Sequence, residues 1–353
     1  MSDDTLLPVY EDHADWGAVQ AELWQRGLGD GLPLAPPTHA RLEAMLAGVR
    51  ESERSYGSLM PMYGELTPAS VAYQSVLAGC EPAHLPVVLT ALVACLTDSF
   101  NLLGIATTTG TPAVAVIVHG PVADRLGLNS GTNCLGPGTP GNAAIGRAVS
   151  LALRNIGGAV PGVGDMATMG QPGKYGFCFA ESRAGLLPSL PARRGLGRDV
   201  DAVTVLGVSG TAEVLPNGLD TPEDILRPLV GAMWAARMAS GGMREREPRE
   251  QLFLLPPELA TGVAGRGWSL ADIQSFLATA EPFGRGDHSN RLAGEPAANP
   301  GDIHPGDIHP GDIRPGDVHP VVTGGPGIKM THLPLWAGGT RTVTLPLLDI
   351  GHQ

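Results

Sequence analysis

The segment Gly170 to Ser182, GQPGKYGFCFAES, brings an amine, a thiol and a carboxylate close together in the chain as Lys174, Cys178 and Glu181. After Pro172-Gly173 the residue types alternate as in a strand. Lys174, Gly176, Cys178 and Ala180 would share one face, and Tyr175, Phe177, Phe179 and Glu181 the other. Four strand residues separate Lys174 from Cys178 by about 13 Å, too far for an ion pair but suited to gripping opposite ends of one substrate. On this reading Cys178 is the nucleophile, because the thiolate is the reactive form of the side chain. Lys174 and Glu181 would orient the substrate or move protons. The alternative is that Cys178 is a small buried hydrophobe, the common fate of a free cysteine.

A second stretch, Leu128 to Arg147, reads LNSGTNCLGPGTPGNAAIGR. Gly136 to Gly141 matches G-x-G-x-x-G, but it does not directly follow the strand ending at Val118. Its prolines remove backbone donors, and no Gly-Lys-Ser/Thr is present, so neither a dinucleotide nor a phosphate-loop fingerprint is indicated. The milder reading is a small-anion site. Gly136 and Gly138 let backbone amides approach a ligand, and a helix capped by Asn142 offers its positive end. Asn129, Asn133 and Asn142 supply neutral donors and acceptors, and Arg147 reaches a carboxylate. An ordinary elaborate turn capped by Asn142 fits the same residues.

Other constellations are weaker. Cys80 and His84 bracket a proline at four-residue spacing, which suits half a metal site or, more simply, a turn between two helices. Lys329 and His332 follow the Gly324-Gly325-Pro326-Gly327 turn after a buried strand, a position that faces the ligand crevice in many α/β folds, and Trp336 could wall it. Pro300 to His319 is a tandem pentapeptide of the type Pro-Gly-Asp-Ile-His. With Gly and Pro in every unit it reads as a mobile surface loop, neither helix nor central strand. Its His304, His309 and His319, with Asp302, Asp307, Asp312 and Asp317, would not be preorganised, so no metal ligand is assigned. No motif names a cofactor.

The residues Gly136-Pro137-Gly138, Asn142 to Ala148, Gly173-Lys174-Tyr175, Cys178 and Ala180-Glu181 resemble the motifs of an uncharacterised bacterial family. Asp30-Gly31-Leu32-Pro33, Ala78-Gly79-Cys80 and Leu85 to Leu89 fit it too, so the resemblance covers most of the chain. That family is associated with small proteins bearing a selenocysteine-Gly-Ser-Cys motif and similar to glycine-reductase-type selenoproteins. The resemblance implies thiol or selenol chemistry and a small thiol or selenol protein as partner. The pentapeptide expansion departs from the family pattern, which has a single Asp-Ile-His.

The elements that must position these residues read as α/β. Helices are expected from Asp15 to Gly27, from Thr38 to Ala47, after Thr67-Pro68 and from His84 to Cys95. Ala113 to Val118 is a continuous apolar run rich in β-branched residues, the mark of a strand buried on both faces. A long helix follows from Asn142 to Gly157-Gly158. Further strands are expected at Val203 to Val208, Leu252 to Leu255 and Val321 to Thr323, with helices at Pro222 to Ser240 and Ser269 to Thr279. The outcome is a mostly buried parallel or mixed sheet flanked by helices. The strand-Pro-helix pattern at 115–121 echoes that at 251–257, which raises two similar lobes against chance likeness of apolar strands. Three regions are expected: a helical 1–100, an α/β 101–240 with the Gly-rich loop, and a second α/β lobe 241–353 holding the repeat at 300–319.

Composition narrows the function. A net charge of −12 with scattered Lys and Arg argues against nucleic acid. No stretch approaches the roughly 20 apolar residues of a membrane span, and Met1 to Asp4 lacks a signal-peptide pattern. The four cysteines read as free thiols of a cytoplasmic protein, and an oligomer is expected. The leading expectation is an enzyme acting on a small anionic metabolite through Cys178 by redox or carbon–sulfur chemistry. A non-catalytic subunit of a complex and a metal-dependent lyase or hydrolase are the alternatives.

Overall fold

The computed structural model describes residues 7–239, 250–281, 313–336 and 338–351. The repeat histidines His304 and His309, with Asp302, Asp307 and Asp312, lie outside the described residues.

Between residues 7 and 100 the elements are helices, apart from a short hairpin of β1 (Ser58–Leu59) and β2 (Gly64–Glu65). Helix α1 (Trp16–Gln25) starts where the Asp15 carboxylate accepts from the Ala18 amide, and α2 (His39–Leu46) where Thr38 accepts from Arg41. Helix α3 (Pro68–Ala78) carries a reciprocal cap between Thr67 and Ser70 and stops at Gly79, which takes φ of +83°. Helix α4 (Leu85–Cys95) is apolar almost all round and is correspondingly buried.

Helix α5 (Leu102–Thr107) leads into β3 (Ala113–His119), all seven residues of which are buried. Then come α6 (Pro121–Arg125), α7 (Pro140–Asn155), β4 (Cys178–Ala180), α8 (Leu190–Arg193), β5 (Ala202–Val208) and β6 (Ala212–Val214). The remaining elements are α9 (Pro222–Ala239), β7 (Gln251–Leu255), α10 (Pro257–Ala264), α11 (Leu270–Thr279), β8 (Val318–Val322), β9 (Met330–Leu333) and β10 (Val343–Pro346).

The α/β class expected from the sequence is present, with two mixed sheets of order β10-β5-β3-β4 and β6-β9-β7-β8. In the first, β3 pairs parallel with β4 and antiparallel with β5. In the second, β7 pairs parallel with β8 and antiparallel with β9. The outer strands cross over: β6 joins the second sheet through β9, and β10 joins the first through β5. Residues 101–240 and 241–353 are therefore interlocked, each lending an edge strand to the other's sheet.

The layers follow from strand alternation. Ala115, Ile117, Leu206 and Val208 of the first sheet meet Leu252, Leu254, Val321 and Leu333 of the second. The opposite face of β3, with Val114, Val116 and Val118, packs on α4 and α7. Phe253, Leu255, Val318 and Val322 pack on α9, α10 and α11. Two stacked sheets thus lie between two helical layers, which is why the strands read as continuous apolar runs. Among the described residues no single helix is long and apolar enough to cross a membrane.

Three sequence expectations need correction. The repeat does not stay a loop to its end, because Pro315–Asp317 forms a 3-10 turn, Asp317 pairs with Arg341, and Val318 and His319 are buried in β8 against β7. The strand expected from Lys174 is confined to Cys178–Ala180, because Pro172–Lys174 forms a 3-10 turn. The long helix starts at Pro140 with Thr139 at its cap, so Asn142 is its third residue and caps nothing. Close approach explains the glycines here. A Cβ on Gly146 would stand 2.5 Å from the Phe177 amide nitrogen, and one on Gly176 would stand 2.7 Å from that of Arg147. Helix α7 can therefore lie directly on the backbone leading into β4.

Candidate functional site

The Gly-rich loop is closed over its own backbone. The buried Asn142 amide donates to the Asn129 and Cys134 carbonyls at 3.0 and 3.2 Å, and its oxygen accepts from the Asn129 amide at 2.8 Å. Asn129 in turn donates to the Thr132 carbonyl and accepts from the Gly131 amide. Asn133, Gly136 and Gly138 take positive φ, and the Gly136-Pro137 bond is cis. The Thr323 hydroxyl donates to the Ser130 and Ala180 carbonyls, tying the loop to the turn after β8 and to the end of β4. The Asn129 and Asn142 side chains are spent on structure and do not turn outward as the expected anion cradle.

Arg147 does not face that loop. Its guanidinium grips Asp30 with two hydrogen bonds of 2.8 Å and donates further to the Pro33 and Leu32 carbonyls at 2.8 and 3.2 Å. Burial pushes the Asp30 carboxyl up. Hydrogen bonds from Arg147 and the Leu32 amide, together with the Arg147 charge, outweigh this and hold it below its ordinary value. Arg147 therefore pins α7 to the Asp30–Pro33 segment and is not open to a ligand.

The three residues expected to act together lie apart. Cys178 faces the apolar core under α4 and α7, where burial pushes its thiol well up, with Cys80 nearby adding to the effect. Burial raises Cys80 to about 12 and pushes Cys95 up as well. Such a thiol is a poor nucleophile, the reverse of the cation-flanked environment that activates one. Alkylation of the native protein should accordingly leave Cys178 and Cys95 unmodified until unfolding, as read by mass spectrometry. Rapid native labelling of Cys178 would restore it as the reactive thiol.

Glu181 is buried against His119, its Oε2 standing 2.7 Å from Nδ1 and accepting from the Leu190 amide at 3.1 Å. His119 Nε2 lies 2.7 Å from the Thr204 hydroxyl, which lies 2.7 Å from that of Thr344. A carboxylate–imidazole–hydroxyl chain of this kind has the layout of a nucleophilic triad. Thr204 is 0% exposed, however, so no substrate reaches it. The chain instead bridges β3, β5, β10 and the end of β4 inside the first sheet.

The His84 Nδ1 accepts the Glu81 amide in the turn before α4, which fits the reading of Cys80 to His84 as a turn between two helices. Lys329 pairs with Glu213 at 2.5 Å, and both side chains are largely exposed. Trp336 packs against Gly104 and Gly338 at the edge of the α4 core. Among the described residues no group of three or more His, Cys, Asp or Glu is arranged to hold a metal.

Lys174 is the expected residue that does stand in a cavity. A cleft of about 520 Å³, open to solvent on one side, is bounded by α5, the start of β3, the last turns of α7 and the segment 159–175. The apolar wall is formed by Leu102, Ile105, Ala106, Val114 and Leu153. Asp165 holds the Lys174 ammonium with both carboxylate oxygens, at 2.6 and 2.8 Å. Gln171 fixes the floor by donating to the Thr111 and Val208 carbonyls at 2.5 and 2.7 Å. Asp30 and Arg154 also reach the lining.

Sequence reasoning missed Arg154, Asp165, Gln171 and the apolar wall. The only local signal was the Gly-rich run from Gly157 to Gly170, GGAVPGVGDMATMG, in which a single aspartate is set among small residues. Comparison with known proteins gives no match to a family model, a curated protein or a solved structure.

Proposed function

We propose that the chain is a cytoplasmic enzyme acting on a small anionic metabolite in the cavity between α5, α7 and residues 159–175. The observation that carries this reading is the Lys174–Asp165 pair facing a largely apolar space of about 520 Å³. Asp165 holds the ammonium in place and keeps it from swinging into solvent. An ammonium fixed beside a carbonyl oxygen stabilises negative charge that develops there. The reaction class is therefore proton transfer at a carbon next to a carbonyl. The Asp165 carboxylate takes the carbon-bound proton, Lys174 holds the negative charge that passes to the carbonyl oxygen, and carbon regains a proton from the same carboxylate after exchange with solvent. Cys178 takes no part.

Deuterium exchange tests this. Full-length protein is incubated in heavy water with 2-oxo and 3-oxo acids of four to six carbons, and loss of carbonyl-adjacent proton signals is followed by NMR. Wild type should accelerate exchange for at least one acid, and Lys174→Met should lower that rate by roughly a hundredfold or more. Exchange unaffected by Lys174→Met, or no accelerated exchange with any acid, would overturn the assignment.

A second reading, a subunit that meets a small thiol or selenol protein, is favoured by the apolar side chains near the cavity mouth. Met169 is 89% exposed, Val163 65% and Met62 60%. That reading requires no exchange activity in the isolated chain.

A further inference from the structure

The charges around the cavity do not cancel. Four ionised side chains line it: Asp30, Arg154, Asp165 and Lys174. Lys174 is neutralised by Asp165, and Asp30 by Arg147, which reaches it from outside the lining. One positive charge remains, that of Arg154.

Arg154 sits in the last turn of α7. Its guanidinium makes a single long hydrogen bond, 3.4 Å to the Gly27 carbonyl. Its Nε is buried with no partner. Among the described residues no carboxylate pairs with it. The Nε has no accessible surface, so a ligand would meet the terminal nitrogens, which have only the Gly27 contact, and the group that suits such a fork best is a planar anion. The rest of the wall is mostly apolar, broken by Ser150, Gln171 and Tyr175, and its Leu102, Ile105, Val114 and Leu153 side offers a ligand body dispersion contacts and release of water.

We infer that this cavity takes an aliphatic monocarboxylate and that Arg154 holds the carboxylate. This rests on the reading of the cavity as the substrate site and names the class of substrate. A single ligand charge cancels the one residual charge, whereas a second carboxylate would be buried against Leu102, Ile105 or Val114 without a cation. Dicarboxylates of the same length are therefore rejected, by desolvation of the unpaired end.

Calorimetric titration of the full chain with hexanoate, adipate and 1-hexanol separates charge from shape. Hexanoate should bind wild type at least tenfold more tightly than adipate. Arg154→Met should weaken hexanoate by roughly thirtyfold or more and leave 1-hexanol unchanged. Arg154→Lys should fall between the two, since it keeps the charge but loses the fork. Methyl NMR on the same samples locates the ligand through the Ile105 and Met169 signals. If those methyls shift with hexanoate while Arg154→Met titrates like wild type, the anchor is wrong and the cavity reading stands. Adipate binding as tightly as hexanoate would overturn the monocarboxylate class. If no cavity methyl responds to any of the three probes, the cavity reading fails and this inference fails with it.

Discussion

Gly146→Val is expected to be among the most destabilising single changes in the chain. The contacts it would make are with backbone: a Cβ there meets the Phe177 nitrogen at 2.5 Å, its carbonyl carbon at 3.0 Å and the Cys178 nitrogen at 3.1 Å. A flexible side chain could swing aside, but the chain entering β4 cannot, since the Phe177 carbonyl accepts from the Val116 amide. Overpacking typically costs 1–3 kcal/mol where neighbours can adjust, and here they cannot, so about 4 kcal/mol or more is expected. Gly146→Ala should cost less, about 2–3 kcal/mol, because only the Cβ itself intrudes. Chemical denaturation of the two variants gives the order. A valine variant within about 1 kcal/mol of wild type would mean that α7 does not lie on this backbone.

Arg147→Met is expected to cost about 3–5 kcal/mol, the range for removing one partner of a buried ion pair. The side chains of Arg147 and Asp30 are only 15% and 12% exposed, so solvent screens the pair little. The loss also removes the hydrogen bonds that the guanidinium gives to the exposed Pro33 and Leu32 carbonyls. Removing both charges with Asp30→Leu and Arg147→Met should cost less than the sum of the single changes, giving a coupling term in a double-mutant cycle. The pair also has an acid signature. The Asp30 carboxyl is held below its unfolded value, so its contribution is fully present above the ordinary carboxylate pKa. It is lost as pH falls through the lower folded value. In Arg147→Met that part of the acid dependence should disappear. A cost below about 1 kcal/mol would reduce the pair to an ordinary surface contact.

Strands β3, β5 and β7 were legible because both faces of each are buried. A run such as Ala113 to His119 then has no polar alternation to confuse its reading. The Gly-rich motifs were visible as motifs, but their purpose was not. Gly146 and Gly176 mark a helix lying on backbone, and Asn142 ties a loop to itself, whereas spacing alone suggested a ligand cradle. Arg147 was singled out as a cation without its counter-charge, because Asp30 lies 117 residues earlier and one-dimensional spacing carries no trace of the contact. His119, Glu181 and Thr204 escaped notice as a group for the same reason. Lys174 was named, but as the partner of Cys178. The turn at Pro172–Lys174 directs its amine to Asp165 instead. The cavity could not be foreseen, since its lining is gathered from α5, β3, α7 and residues 159–175.

A crystal structure of the chain grown with hexanoate tests the central claim most directly, because it asks where a small carboxylate goes without assuming a reaction. The carboxylate should lie in contact with the Arg154 guanidinium, with its aliphatic body along Leu102, Ile105 and Val114 and the Lys174–Asp165 pair intact beside it. Density for hexanoate elsewhere, with Arg154 satisfied by the protein and the cavity filled by side chains of residues 159–175, would contradict it.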